Sequence, residues 1–360
     1  MRRALLVSLR FPADSPRETE ISLAELHSLS ETIGFSPADT LLAGVRKPSA
    51  RFLAGTGKAE EIRVAAENSG ARYIIFDNDL SPSQQRNWEQ FTGLCVIDRR
   101  EVILEIFADR AITREAQLQV ELARMRYSLP RLTRAWTHLS RQRGGARGTR
   151  GEGETQLEID RRRVLARIDK AKALLKKVQK QRLTQRSRRQ RSAIKTGAIV
   201  GYTNAGKSSL LKTLSGGELY IADKLFATLD PATRRVSLSP GHEILLTDTV
   251  GFIRRLPHEL IEAFTSTLEE TVLADFLLHV LDASSLHNLE DHARTARKIL
   301  HDIGAADKPL ITVFNKIDLC PDQAELKSLA AEYPNPVLIC AASGEGTGEL
   351  RALLERMEYA

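Results

Sequence analysis

The stretch Gly201-Tyr202-Thr203-Asn204-Ala205-Gly206-Lys207-Ser208 constrains this chain more than any other. It follows the apolar run Ala198-Ile199-Val200 and opens into Ser209-Leu210-Leu211. The spacing G-x-x-x-x-G-K-S therefore falls between a short strand and a helix, the context that a phosphate-binding loop requires. Glycines let the backbone fold around a phosphate with its N–H groups pointing inward. The helix N-terminus adds partial positive charge. Lys207 is placed to reach the β- and γ-phosphates, and the Ser208 hydroxyl to bind Mg²⁺. The bland alternative is a glycine turn that precedes a helix by chance. The Lys-Ser pair and the flanking strand both argue against it.

A phosphate loop specifies only a nucleoside triphosphate, and two later motifs narrow it. Asp248-Thr249-Val250-Gly251 follows the expected strand Glu243–Thr247. An acid there holds Mg²⁺ through water, and the Gly251 N–H can meet the γ-phosphate. Asn315-Lys316-Ile317-Asp318 follows the expected strand Leu310–Phe314 and carries the chemistry that selects guanine. The Asp318 carboxylate can accept from guanine N1–H and N2–H, a donor pair that adenine lacks. Asn315 can meet the Hoogsteen edge, and the Lys316 stem can cover the ring. A carboxylate left unpaired by ATP makes discrimination of orders of magnitude reasonable.

Strands are expected also at Gly197–Gly201, Thr233–Ser239, Phe276–Leu281 and Val337–Cys340, with helices between, so 195–360 reads as a doubly wound sheet. Residues 1–111 read as a separate small α/β domain. Its strands are Ala4–Leu9, Thr40–Val45, Tyr73–Phe76 and Leu94–Ile97; its helices are Ser22–Thr32, Ala59–Ala66 and Ser83–Gln90. Gly55-Thr56-Gly57-Lys58 lacks the phosphate-loop spacing and reads as a turn capping the Ala59 helix. A second nucleotide site in this domain has only that weak support.

Residues 112–194 differ in character. Leu118, Leu122, Met125, Leu129 and Leu132 recur at spacings of four and three, and Val164, Ile168, Ala171, Leu175 and Val178 do the same. This is a coiled-coil seam on two helices, hence an antiparallel helical hairpin, with Pro130 ending or kinking the first helix. The intervening loop, Arg141 to Glu154, is glycine-rich with no apolar anchor, and by itself should be mobile. Charge concentrates here. From Arg131 to Lys195 there are 21 Lys and Arg against five acids, a local charge of +16 in a chain whose net charge is +7; the remainder is −9. Arg161–Lys195 holds fifteen bases and only Asp169 as an acid, too one-sided for a solvated face that gains from i,i+4 ion pairs. Such repulsion points to a polyanion, with nucleic acid first. The scarcity of aromatics (Tyr127 and Trp136) favours backbone and shape contacts with folded RNA over base stacking. It also argues against an interfacial membrane helix.

Three scattered cysteines (Cys95, Cys320, Cys340) form neither a disulfide framework nor a metal spacing. No unbroken apolar run approaches a membrane span, and the N-terminal run is cut short by Arg10. The expected location is the cytoplasm, with peripheral membrane association left open, and the expected state is a monomer.

These motifs resemble those of the TRAFAC-type GTPases, and more closely the HflX family of ribosome-associated GTPases. The likeness covers nearly the whole chain. It is most specific at Leu225-Phe226-Ala227-Thr228-Leu229-Asp230-Pro231, at Asp248-Thr249-Val250-Gly251-Phe252-Ile253, and at Gly151-Glu152-Gly153-Glu154-Thr155-Gln156-Leu157-Glu158 with Asp160-Arg161-Arg162. The resemblance implies that residues 225–231 are switch I, that Thr228 closes on Mg²⁺ beside Ser208 and Asp248, and that Phe226, Ala227, Leu229 and Asp230 lie along the nucleotide. It implies a last guanine motif at Cys340-Ala341-Ala342, where the Ala341 N–H faces guanine O6 and Cys340 replaces the usual serine. It also implies binding to the large ribosomal subunit, with the hairpin loop near the peptidyl transferase region, and dissociation of stalled ribosomes. Glu152 stands where the family has proline, and the chain ends soon after its last expected helix, without the extra C-terminal domain of some members.

Phe252 occupies the position at which many GTPases carry a water-orienting glutamine. Slow intrinsic hydrolysis, strongly stimulated by the ribosome, is therefore expected. Asn204 matches the asparagine of GTPases that use K⁺ to stabilise transition-state charge; equally, it fits a polar residue bonding switch I. Two other functions compete with the RNA-directed GTPase: an ATP-using RNA remodelling enzyme with a second nucleotide at Gly55–Lys58, and a membrane-peripheral scaffold without turnover. The Mg²⁺ set Ser208, Thr228 and Asp248 argues against the scaffold.

Overall fold

A computed structural model describes residues 2–132, 150–189, 194–217, 225–226, 228–254 and 265–359. Its contacts divide the chain into two units, one of residues 1–109 and 117–176, the other of 110–116 and 177–360. Among the described residues no helix is long and apolar enough to cross a membrane.

The first unit is built on a parallel sheet of order β2-β1-β3-β4, with β1 Arg2–Arg10, β2 Phe35–Gly44, β3 Tyr73–Phe76 and β4 Cys95–Asp98. Strands covered on both faces read as continuous apolar runs, as Ala4–Val7 and Ile74–Phe76 do; all seven residues are fully buried. The helices are α1 Pro16–Thr32, α2 Thr56–Asn68, α3 Pro82–Thr92 and α4 Arg99–Arg110. Local chemistry sets their ends. Ser81 and Gln84 form a reciprocal capping box before Pro82, and Gly93 closes α3 in the left-handed conformation, φ 72°. Trp88 fills the core with its indole N–H donated to the Phe52 carbonyl at 2.9 Å. Gly55 is the N-cap of α2, which starts three residues before Ala59, and Lys58 pairs with Glu61 at 2.7 Å. Helix α4 has no counterpart among the expected helices. Its Arg99 is buried, ion-paired with Asp77 at 2.7 Å and with Glu25.

Two helices follow, α5 Arg114–Ser128 and α6 Arg150–Arg189. The α-helical turns of α5 end in a 3₁₀ turn, Leu129–Arg131, because Pro130 has no N–H to continue the ladder. Along α6, Ile168 and Ala171 are buried while Val164, Leu175 and Val178 are half-buried, the spacing expected of the seam. Backbone helix begins at Arg150 and so includes Gly151–Glu154, assigned above to the loop. Extending an existing helix needs no new nucleus, which outweighs the roughly 1 kcal/mol each glycine costs. Residues 133–149, and with them Trp136 and most of the expected loop, lie outside the described residues.

The second unit carries a six-stranded sheet of order β10-β9-β8-β5-β7-β6. The strands are β5 Thr196–Gly201, β6 Ala232–Ser239, β7 His242–Asp248, β8 Phe276–Asp282, β9 Leu310–Asn315 and β10 Pro336–Leu338. All neighbours are parallel except the β6–β7 hairpin. Helices α7 Lys207–Ser215, α8 Thr265–Leu273, α9 Leu286–Asp302, α10 Gln323–Ala330 and α11 Thr347–Tyr359 complete it. The core joins Ile199, Leu210, Leu246, Leu278, Val313 and Leu350 across sheet and helices. Strand β5 has β7 on one side and β8 on the other, so connections leave it in opposite directions. That switch point opens a crevice at the carboxyl ends of the strands, where α/β sheets bind ligands.

Candidate nucleotide-binding site

The crevice is a cleft of about 260 Å³. Strand β5 ends at Gly201, φ 148°, where a Cβ would stand 2.3 Å from the Val280 carbonyl oxygen of β8. Gly206, φ 92°, lies so close to Asn315 that a Cβ would meet its Nδ2 at 2.1 Å. Both are positions that only glycine fills without displacement. Asn204 has φ 61° and is exposed at the cleft. Thr203, Asn204, Gly206, Lys207, Ser208 and Ser209 line the cleft, whereas Gly201, Tyr202 and Ala205 shape the loop from behind.

Lys207 is buried and donates from Nζ to the Tyr202 carbonyl at 2.9 Å. Burial pushes its pKa down to about 8, opposed by the charge of Asp248. Burial likewise pushes Asp248 up, opposed first by Lys207 and then by hydrogen bonds from Ser208 and Thr228. One cause acts on both groups: each charge is desolvated with too little countercharge. A polyphosphate beside Lys207 and a cation beside Asp248 would relieve both.

Three oxygens converge at that point. Ser208 Oγ donates to Asp248 Oδ2 at 2.6 Å and lies 2.7 Å from Thr228 Oγ1. Asp248 Oδ1 is buried without a hydrogen-bond partner among the described residues. Hydroxyl and carboxylate oxygens are hard ligands, and an orphaned carboxylate oxygen leaves room for a bridging water, so the set fits Mg²⁺. Thr228 and Phe226 line the cleft with Thr249 and Gly251; Asp248, Val250 and Leu229 are buried behind it. A Cβ on Gly251 would stand 2.8 Å from Thr203 Cα and 2.9 Å from Lys207 Nζ, so its backbone lies directly against the phosphate loop. Ala227 is outside the described residues.

Phe252 is 1% exposed and turned away from the cleft. Its N–H donates to the Gly201 carbonyl at 2.9 Å and its carbonyl accepts from Thr203 N–H at 2.8 Å. Arg254 N–H donates to the Tyr202 hydroxyl at 3.0 Å, and the Tyr202 ring stacks on His292 at 3.9 Å. The tyrosine thus ties the loop both to the segment after Gly251 and to α9.

At the other end of the cleft lie Lys316, Asp318, Cys340, Ala341 and Ala342; Ile317 is not among the lining residues. Lys316 takes the left-handed conformation, φ 64°, and its ammonium is 2.6 Å from Asp282, which stretches its stem across this end. Asn315 lines the cleft and also has a structural role. Its Nδ2 donates to the Ala205 carbonyl and its Oδ1 accepts from Ala341 N–H, both at 2.9 Å. It is a strut joining the phosphate loop to the 340–342 loop, with one Nδ2–H left for a base edge. Asp230 differs from its expected place: its carboxylate binds Ile112 and Thr113, not the cleft. Sequence reasoning missed Leu319, which lines the cleft beside Asp318 and is 62% exposed. Its position next to Asp318 was the available signal. It missed Asp282, His292 and Thr113 as well, which no local motif marks.

Comparison with known proteins agrees with this architecture. Residues 20–108 match the family profile described as GTP-binding GTPase N-terminal, 110–189 that of the GTP-binding GTPase middle region, and 196–316 that of a 50S ribosome-binding GTPase. The chain is 51% identical to the GTPase HflX of Akkermansia muciniphila, over 99% of this chain and 84% of that protein. It is 43% identical to the GTPase HflX of Escherichia coli K12, over 99% and 83%. Among solved structures it is similar to SsGBP in complex with GDP, at 25% identity and TM-score 0.53, covering 100% of this chain and 99% of that one.

Proposed function

The chain belongs to the HflX family of GTPases and hydrolyses GTP, and from that premise we propose that it binds the large ribosomal subunit in its GTP state and dissociates stalled or idle ribosomes. The observation that carries this reading is the basic face of α6. Arg161, Arg162, Arg163, Arg167, Lys170, Lys172, Lys176 and Lys177 are all exposed, while the apolar seam between them is turned in. So dense a row of bases is matched by the phosphates of folded RNA, and the matching 50S-binding family profile supports the same partner.

In this reading GTP lies with its phosphates on the Gly201–Ser209 loop and its base at Asp318. Lys207 leaves the Tyr202 carbonyl for the β- and γ-phosphates, and its depressed pKa returns to the ordinary range as the anion arrives. Ser208, Thr228 and Asp248 would hold Mg²⁺, which would supply positive charge to offset that of the phosphates. The Gly251 N–H marks the γ-phosphate position. Asp318 accepts from guanine N1–H and N2–H, with the Lys316 stem and Leu319 against the ring. Phe252, buried and held by two backbone hydrogen bonds, cannot orient the attacking water, so free turnover is slow and the ribosome raises it. Asn204, exposed at the cleft, is the residue through which K⁺ would act; equal hydrolysis rates in K⁺ and Na⁺ would remove that ion.

Co-sedimentation with 50S, 30S and 70S particles tests the function. The expected result is 50S binding that is tighter with a GTP analogue than with GDP and that weakens steeply with salt. Equal affinity for 30S, or salt-independent binding, would overturn it.

A further inference from the structure

We propose that Thr113, far upstream of every nucleotide motif, is a positioning residue for GTP hydrolysis, acting through Asp230 to hold Thr228 at the metal site. The inference rests on the reading of Thr228 as the switch I metal ligand.

The segment Arg110–Ala116 runs into the first turn of α5, and it groups with the unit that carries the cleft. Among the described residues, the Asp230 carboxylate binds it at Ile112 and Thr113. Asp230 Oδ2 accepts from the backbone N–H of Ile112 at 2.9 Å and of Thr113 at 3.1 Å, and Asp230 Oδ1 accepts from the Thr113 hydroxyl. That hydroxyl also accepts from Ala116 N–H at 3.2 Å, which makes Thr113 the N-cap of α5. Both carboxylate oxygens and both functions of the hydroxyl are therefore engaged at once. The negative charge sits at a helix N-terminus, where the dipole favours it.

Asp230 is two residues beyond Thr228, and Leu229 between them is 2% exposed. Two residues of chain span about 7 Å at most, so a fixed Asp230 and a buried Leu229 leave Thr228 little freedom. The Thr228 hydroxyl lies 2.7 Å from Ser208 Oγ, at the point where Asp248 also converges. Switch I is thus pinned from both sides of Leu229: by the Ser208 and Asp248 cluster before it, and by the cap of α5 after it. Pro231 stiffens the exit. Serine at 113 would preserve both hydrogen bonds; alanine would remove them while leaving the cleft lining intact.

The test combines hydrolysis with amide hydrogen exchange on the full chain. Thr113→Ala should lower kcat about tenfold, the cost of removing a hydrogen bond to a charged group. It should raise the Mg²⁺ concentration for half-maximal rate and leave GDP affinity within about twofold, since the base and phosphate contacts are untouched. Thr113→Ser should restore the rate. With Mg²⁺ and a GTP analogue, exchange over residues 225–231 should be slow in the parent chain and in Thr113→Ser, and fast in Thr113→Ala. Because coupling is reciprocal, exchange at Ile112 and Thr113 should be slower with the analogue than with GDP. Asp230→Asn combined with Thr113→Ala should be no worse than the more severe single change. If Thr113→Ala alters exchange only over 111–117, with kcat and Mg²⁺ dependence unchanged, the residue is a helix cap and nothing more, and the proposal falls. If Thr228→Ala hydrolyses GTP at the parent rate, the switch reading fails and takes this inference with it.

Discussion

Single residues decide which nucleotide the cleft accepts and at what pH the fold survives. Among the described residues lining the cleft, Asp318 is the only carboxylate, and Lys316 beside it is already committed to Asp282. Asp318→Asn replaces an acceptor with a donor at one oxygen. Xanthine carries a carbonyl where guanine carries its 2-amino group, so the variant should lose GTP affinity by about 100-fold or more and gain XTP. Competition binding with both nucleotides measures this; retained preference for GTP would place the guanine contact elsewhere. A second residue-scale prediction concerns His279. It is 2% exposed in β8, its Nε2 has no hydrogen-bond partner among the described residues, and burial lowers its pKa to about 4. Unfolded, it titrates near 6.5. The unfolded chain therefore binds the extra proton first as pH falls, and stability is lost between about pH 6.5 and 4, by up to roughly 3 kcal/mol. His292, also lowered to about 4, acts in the same direction but is only partly buried and counts for less. Thermal melts across that range should show Tm falling with pH, and His279→Leu should flatten the fall. Nothing in the sequence singles His279 out: one histidine in the run Phe276–Asp282 acquires its character only when β5 and β9 close around it.

Among elements, legibility follows locality. The phosphate loop, the Asp248 segment and the Asn315–Asp318 turn are written in consecutive residues at strand ends, so spacing alone locates them. The central strands β1, β3, β5, β8 and β9 were legible because parallel, two-sided burial demands unbroken apolar runs, whereas β2 starts at Phe35, five residues before the expected Thr40, because its first half is mixed and partly exposed. Helix α4 was not legible, because it opens on the charged residues Arg99, Arg100 and Glu101, and the burial of Arg99 depends on Asp77 and Glu25, far away in sequence. The contacts Tyr202–His292 and Thr113–Asp230 were invisible for the same reason. Asn315 shows the intermediate case: its motif was readable, but its use as a strut needs the Ala205 and Ala341 backbones in place. That strut makes the phosphate loop intolerant of bulk. Gly206→Ala would drive a methyl into Asn315 Nδ2 at a left-handed φ, and so shift the strut as well as strain the loop. It should abolish binding of a fluorescent GDP while Tm falls modestly, by the equivalent of about 2 kcal/mol. Gly201→Ala should be worse for the fold, because the obstacle is the Val280 carbonyl of a central strand, which cannot rotate aside. If Gly206→Ala bound GDP normally, the strut would be dispensable.

At the scale of the whole molecule, charge separates hydrolysis from the proposed attachment to RNA. The cleft keeps its own balance, with one buried lysine facing one buried carboxylate, while the excess positive charge is collected on a helix that takes no part in the cleft lining. Hydrolysis by the free chain and attachment to RNA should therefore respond to different substitutions. Arg162→Glu with Lys172→Glu reverses two exposed bases of α6 and touches no residue of the nucleotide site. Each base removed should cut the slope of log affinity against log salt by about one, because one fewer counterion is released. Affinity for the 50S particle should drop by about 100-fold at moderate salt, with ribosome-stimulated hydrolysis falling in step at subsaturating particle concentrations. Free hydrolysis and GDP binding should stay at parent values. A variant that lost basal hydrolysis as well would show that α6 acts on the cleft directly. One that kept its full salt slope would move the RNA contact off this face of the helix.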